Sequence, residues 1–139
     1  MAIFQTQTIS FRQEMLQGVH DLLTDTIKMA LYTSSSNISG DTTVYTTTAE
    51  VTGGGYSAGG QVMTGAAINN SNSVVYVTFN NVVWTPATFT TAGALIYNAS
   101  KANKSVAVLD FGADKTGNGV NFTVTFPVST ATTAVLRIA

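Results

Sequence analysis

The chain of 139 residues contains no cysteine. That removes disulfide frameworks, thiolate metal sites and cysteine nucleophiles from consideration. Charge is nearly as scarce. Only 9% of residues are Asp, Glu, Lys or Arg, against about 25% in an ordinary soluble domain. The net charge of −1 supplies no basic footprint for phosphate backbones or anionic lipid, so neither nucleic acid nor a membrane is an expected partner. A single histidine, His20, cannot furnish a zinc site without cysteine beside it. No apolar run approaches the length of a membrane span, and the start MAIFQTQTIS has neither a basic n-region nor an apolar core, so no signal peptide is expected.

What fills the space left by charge is uncharged and polar. The hydrophobic fraction is an ordinary 45%, and threonine supplies about one residue in six, a β-branched type that suits pleated, half-buried surfaces. A free-standing soluble surface usually carries more charge of both signs. Two explanations stand level: neighbours cover much of the surface in an assembly, or the composition is a habit of β proteins.

The length fits one domain, spanning residues 1–139. Residues 1–9 read as an extended, uncharged N-terminal arm. Ser10-Phe11-Arg12-Gln13 has the form of a capping box, with Ser10 as N-cap. Phe11, Met15, Val19 and Leu22 follow at helical spacing, which predicts a short helix over 10–20. From residue 26 the period changes to two, with Ile27, Met29 and Leu31 on one face. Residues 34–60 form a polar excursion with a short strand-like segment at Thr43–Val51. Further strands are predicted at 61–68, 73–79, 82–89, 93–99, 105–111, 121–126 and 134–138. Pro86 marks the run at 82–89 as an edge or bulge. Residues 100–104 and 116–119 are turns, Phe122, Val124 and Phe126 point inward, and Pro127 ends its strand. About eight short strands with one helix predict a mainly β fold, an antiparallel β-sandwich or jelly-roll-like barrel over 26–139.

A serine or threonine nucleophile would need His20 as its base. Asp21 beside it cannot orient it, because i,i+1 neighbours on a helix do not face each other. His20 is expected near the helix end, partly exposed, against the negative pole of the dipole. Asp110 and Asp114 lack the spacing of a calcium loop and read as charges on a turn. Asp110-Phe111-Gly112 spells a kinase triplet without the partner motifs. Paired carboxylates of a glycosidase could converge only from distant loops. Gly53-Gly54-Gly55-Tyr56-Ser57-Ala58 satisfies the spacing of a dinucleotide-binding turn, yet no buried strand precedes it and no helical stripe follows. Its glycines are expected to supply positive φ and tight bends, with Tyr56 anchoring the loop and room for another subunit's backbone to approach. No catalytic residue, cofactor site or metal site is expected.

Several stretches carry a resemblance. Phe11-Arg12-Gln13-Glu14-Met15-Leu16-Gln17-Gly18-Val19-His20, Asp25-Thr26-Ile27-Lys28-Met29-Ala30-Leu31-Tyr32-Thr33-Ser34-Ser35, Gly55-Tyr56-Ser57-Ala58-Gly59-Gly60 and Gly93-Ala94-Leu95-Ile96-Tyr97-Asn98 resemble small virion proteins of tailed bacteriophages. So do Tyr45-Thr46-Thr47-Thr48-Ala49-Glu50-Val51 and the segments 107–112 and 121–127. The resemblance implies a non-enzymatic structural protein of the virion. Within it, composition favours a cement or decoration protein on the capsid surface, bound to the major capsid protein and to itself as a homodimer or homotrimer. A tail, neck or fibre component is the alternative, and a host-surface carbohydrate-binding β-sandwich is a third reading. The interface candidates are Ile3, Phe4 and Thr6 in the arm, with Tyr56 and Trp84; Trp84 also reads as core.

Overall fold

The computed structural model describes Ile3 and residues 6–71, 73–125 and 136–138. Alternating β-branched and aromatic residues build strands through most of the chain, and the fold is mainly β with antiparallel sheets, as expected. The elements are β1 (Thr6–Gln7), α1 (Ile9–Leu16), β2 (Ile27–Tyr32), β3 (Gln61–Val62), β4 (Ala67–Ser71), β5 (Val74–Thr78), β6 (Val82–Ala87), β7 (Thr90–Asn98), β8 (Lys104–Thr116), β9 (Val120–Val124) and β10 (Leu136–Ile138). Phe4, Phe126 and Pro127 lie outside the described residues.

One sheet runs β1-β8-β7-β2-β3; a second runs β10-β5-β4, and β6 and β9 form a two-stranded ribbon. Together they make a β-sandwich-like arrangement. Strand alternation gives the main sheet two apolar faces. Ile27, Met29, Leu31, Ala94, Ile96 and Val106 face the ribbon and the small sheet, where they meet Trp84, Phe89, Val77, Val124 and Leu136. Ala30, Tyr32, Leu95, Tyr97 and Val108 face the other way and pack with Ile3 and Ile38. Both faces are thus covered, which is why β2 and β7 read as near-continuous apolar runs. Each fully buried aliphatic side chain contributes about 1.5–3 kcal/mol.

The helix differs from its expected bounds at both ends. Thr8, not Ser10, is the N-cap: its Oγ1 accepts the Phe11 N–H at 3.3 Å. The reason is tertiary. β1 pairs with β8 through Thr6↔Val108 and Gln7↔Ala107, so the chain stays extended until Thr8, and the Ser105 hydroxyl donates to the same Oγ1 at 3.0 Å. The helix ends at Leu16 rather than residue 20. Gly18 sits at φ +72, its N–H bonds the Met15 carbonyl, and the Val19 N–H bonds the Glu14 carbonyl, which is a Schellman termination.

Two further expectations change. The arm is not free, because Thr6 and Gln7 are a strand of the main sheet and Ile3 is buried. Asp110 and Asp114 lie within the long strand β8, not on a turn. The backbone does loop there, since Thr91 pairs with Lys115 while Gly93 pairs with Asp110, an irregularity of several residues that satisfies the same local signals. Pro86 coincides with the register shift between Trp84 and Ala87 on β6, as a proline at a bulge should.

Candidate functional site

The glycine-rich stretch is a strap between the two layers. Gly53, Gly55, Gly59 and Gly60 all have positive φ. A Cβ on Gly55 would fall 1.8 Å from the Pro86 carbonyl oxygen, and one on Gly60 would fall 1.8 Å from that of Met29. The close approach that the glycines permit is therefore to this chain's own β6 and β2, not to another subunit. Gly54 bridges Thr88, whose N–H donates to the Gly54 carbonyl at 2.8 Å.

Tyr56 anchors the strap. Its ring packs against Trp84 and Phe89 with centroids 6.3 and 5.9 Å away. Its hydroxyl accepts the Leu31 N–H at 3.0 Å and donates to Glu50 Oε2. Glu50 also accepts the Tyr45 hydroxyl at 2.6 Å and the Gly59 N–H at 2.8 Å. The Tyr97 hydroxyl donates to the Gly59 carbonyl at 2.6 Å, and its ring stacks on Tyr45 at 4.8 Å. Burial raises the tyrosine hydroxyls, with the Glu50 charge adding to it: Tyr97 is pushed up to about 12, and Tyr32, Tyr45 and Tyr56 go higher. The carboxylate is occupied by three donors, and the strap leads into β3 instead of a helix. The geometry is that of a clasp; it offers a pyrophosphate no helix N-terminus.

A second polar cluster lies where α1 meets the end of β7. Glu14 Oε1 accepts from His20 Nε2 at 2.9 Å, and Lys104 Nζ stands 3.4 Å from Glu14 Oε2. Asn98, fully buried, bonds His20 Nδ1 at 3.0 Å and donates to Asp25 Oδ2 at 2.8 Å. Its carbonyl oxygen accepts the Ser100 N–H at 3.0 Å. With both amide hydrogens engaged, Asn98 makes Nδ1 of His20 an acceptor and leaves the proton on Nε2 for Glu14. Lys101 closes the chain 3.3 Å from Asp25 Oδ1. The Asn98 amide, then the Asp21 N–H, holds the Asp25 carboxyl below its ordinary range. His20 is thus buried beyond the helix end, under the Phe11 ring, and not partly exposed at the dipole. Both its nitrogens are taken, so it has no lone pair left for a nucleophile. Among the described residues, no group of three or more acidic or histidine side chains is placed to hold a metal.

The third feature is a surface. Residues 51–100 contain no Asp, Glu, Lys, Arg or His. This neutral stretch forms the β4–β5 hairpin, and every residue of β4 is exposed. One face of the hairpin, Ile68, Val75 and Val77, joins Phe11, Met15, Leu22 and Leu136 around an open cleft of about 320 Å³. Ile68 and Val75 are nearly half exposed on its wall, at 48% and 42%.

Of the four interface candidates among the described residues, Tyr56 and Trp84 stack on each other inside the fold, and Ile3 and Thr6 are committed to the main sheet. Trp84 is 1% exposed and Ile3 9%; both belong to the core, Trp84 because β6 turns it onto Phe89 and Phe122. Thr6 is half-buried in the β1–β8 pairing, Tyr56 is the strap's anchor, and Phe4 lies outside the described residues. Sequence reasoning did not single out the neutral hairpin, although the gap in charge between Glu50 and Lys101 was there to be read. Asn98 left no local signal, because its partners His20 and Asp25 are more than seventy residues away; Glu50 has its partners Tyr45, Tyr56 and Gly59 within nine residues, but in a loop whose irregular path no periodicity encodes. No family model matches the chain, and comparison with curated proteins and with solved structures returns no match.

Proposed function

We propose that this chain is a structural protein of a bacteriophage virion that works by surface contact, as a decoration protein bound in many copies to the major capsid protein on the capsid surface. One observation carries the reading: a long neutral stretch, residues 51–100, presents an exposed hairpin and open strand edges. Charged surfaces keep a soluble domain apart from its neighbours, whereas a neutral edge offers backbone groups, amides and methyls to a partner. The similarity of several segments to small virion proteins of tailed phages points the same way.

The buried clusters favour a mechanical role. Glu50 and His20 are each saturated by partners inside the fold, so their polar groups brace it and do not face a substrate. A shell protein under internal pressure gains from such bracing. The attachment surface in this proposal is the hairpin, since Ile3 and Thr6 are committed to the chain's own sheet. A carbohydrate-binding reading loses its main stacking platform with Trp84 buried.

The test is copy number in purified virions, measured by quantitative mass spectrometry against the major capsid protein. A ratio within a small factor of the capsid subunit supports decoration. A handful of copies per particle overturns it and assigns the chain to the tail or neck.

A further inference from the structure

The sheet β10-β5-β4 ends at β4, and among the described residues no strand covers its outer side. An edge strand points the N–H and C=O groups of alternate residues outward, where they can pair with another chain. Proteins normally block such an edge with charge, proline, a bulge or a covering loop. Among the described residues β4 has none of these: Ala67-Ile68-Asn69-Asn70-Ser71 is uncharged and proline-free, pairs with β5 in unbroken register, and is exposed at every residue.

We infer that a second copy of this chain pairs with this edge, β4 against β4, antiparallel across a two-fold axis. This rests on the assembly reading above and adds a second contact to it: the β4 edge meets a copy of the chain, and the faces of the hairpin are left for the capsid. The register that pairs all five residues sets Asn69 opposite Asn69, Ile68 opposite Asn70 and Ala67 opposite Ser71. The edge is self-complementary in that register. A carboxamide both donates and accepts, so the central asparagines can bond each other. No charge meets its own copy, which is the usual obstacle to identical strands lying side by side. The product is one sheet, β10-β5-β4-β4-β5-β10.

The faces agree as well. Ile68↔Val77↔Leu136 lie in one cross-strand row, on the side that faces the cleft. A two-fold axis normal to the sheet keeps both copies' clefts on the same side. Ile68, half exposed in one copy, then lies beside Asn70 and diagonally near Ile68 of the other, within reach across strands. Pairing therefore covers apolar surface that a single copy leaves wet. Two-fold closure also limits the association to a dimer, where an open edge would otherwise invite filaments.

The absence of cysteine makes the test direct. Asn69→Cys gives one thiol per copy on the side away from the cleft. In the stated register the two Cα atoms come within roughly 4.5–5.5 Å, inside the range a disulfide bridges. Mild oxidation is expected to yield a covalent dimer of twice the 14.5 kDa chain, while Val62→Cys, on the exposed edge strand β3, stays largely monomeric. Light scattering is expected to show the unmodified chain as a dimer. Asn69→Lys, which sets two ammonium groups opposite each other, should weaken it at least about tenfold with an unchanged circular dichroism spectrum. A monomer at the highest soluble concentration overturns the inference, as does cross-linking through Val62→Cys in place of Asn69→Cys, or an Asn69→Lys protein that remains dimeric. Copy number on shells is read separately. A monomer found abundantly on capsids would sink the pairing and leave the decoration reading standing; a dimer nearly absent from capsids would do the reverse.

Discussion

Replacing Gly60 by alanine should cost this protein a large part of its stability, and the geometry fixes why. Gly60 sits at φ +78, where an alanine is strained by about 1–2 kcal/mol. Its Cβ would stand 1.8 Å from the Met29 carbonyl oxygen, 2.6 Å from the carbonyl carbon and 2.8 Å from the Ala30 Cα. All three atoms are backbone of β2, a central strand whose Met29 and Ala30 are fully buried, so the strand cannot retreat. The strap must lift instead, loosening the Gly59 contacts to Glu50 and Tyr97. Overpacking of this kind costs about 1–3 kcal/mol, which brings the total to roughly 2–5 kcal/mol and the fall in Tm to about 7–17 °C. Two controls separate the causes. Gly112→Ala has the same left-handed backbone, φ +81, but nothing within 4 Å of the new Cβ, so it isolates the strain. Gly54→Ala has an ordinary φ and meets only the Thr88 side chain at 3.4 Å, so it should lose under about 1 kcal/mol. Urea denaturation followed by the fluorescence of the single tryptophan, Trp84, reads all three. A Gly60→Ala protein no less stable than Gly112→Ala would refute the claim that the strap lies against β2.

Alkaline pH should unfold the protein cooperatively. Tyr32 and Tyr97 are held protonated above their unfolded value of about 10, so the stability they confer is intact below pH 10 and is lost as pH rises, at about 2.7 kcal/mol per pH unit for the pair; absorbance at 295 nm should rise with unfolding, and a gradual rise in the folded state would contradict the burial. Asp25 has the opposite sign: its lowered carboxyl contributes stability above the unfolded value of about 3.9, lost as pH falls through the folded value. Asp25→Asn should therefore flatten the acid limb of a stability–pH curve, and an unchanged limb would count against the assigned hydrogen bonds. Asn98→Ala removes three hydrogen bonds from a buried position and strands His20 Nδ1, so a loss of about 2–4 kcal/mol is expected in chemical denaturation, with less than about 1 kcal/mol ruling out the network as a brace.

Local periodicity carried the fold a long way. β2, β5, β6, β7 and β9 fall close to where runs of apolar and β-branched residues put them; in β9 the two-residue period also encodes which face is buried, whereas β2 and β7 are covered on both faces. Errors arose where a distant partner chose between equivalent local signals. Thr8 and Ser10 are both respectable caps; pairing of β1 with β8 and the hydroxyl of Ser105 selected Thr8, and no helix rule contains residue 105. The helical placing of His20 fails because α1 ends at Leu16, closed by a cap that depends on the single positive φ of Gly18. The strap was legible as glycine needing special backbone, and Tyr56 as its anchor, but not the identity of the backbone it approaches. Contacts across the sandwich decide that, and spacing along the chain says nothing of them.

The distribution of charge bears on a choice that composition alone left level. If scarcity of charge were only a habit of threonine-rich β proteins, the few charges would be scattered along the chain. They are segregated instead. Glu14, Asp25, Lys101 and Lys104 gather around His20 and Asn98 at the helix end of the main sheet, in pairs that brace the fold, while residues 51–100 have none. The neutral stretch includes β3 and β4, edge strands of the two larger sheets, which are the places where an isolated protein most needs charge to stay isolated. Buried core strands can do without charge at no risk, and β7 needs no further account. An exposed five-residue edge cannot, unless its exposure is temporary. That asymmetry, and not the low total, is what the proposed pairing of β4 would account for.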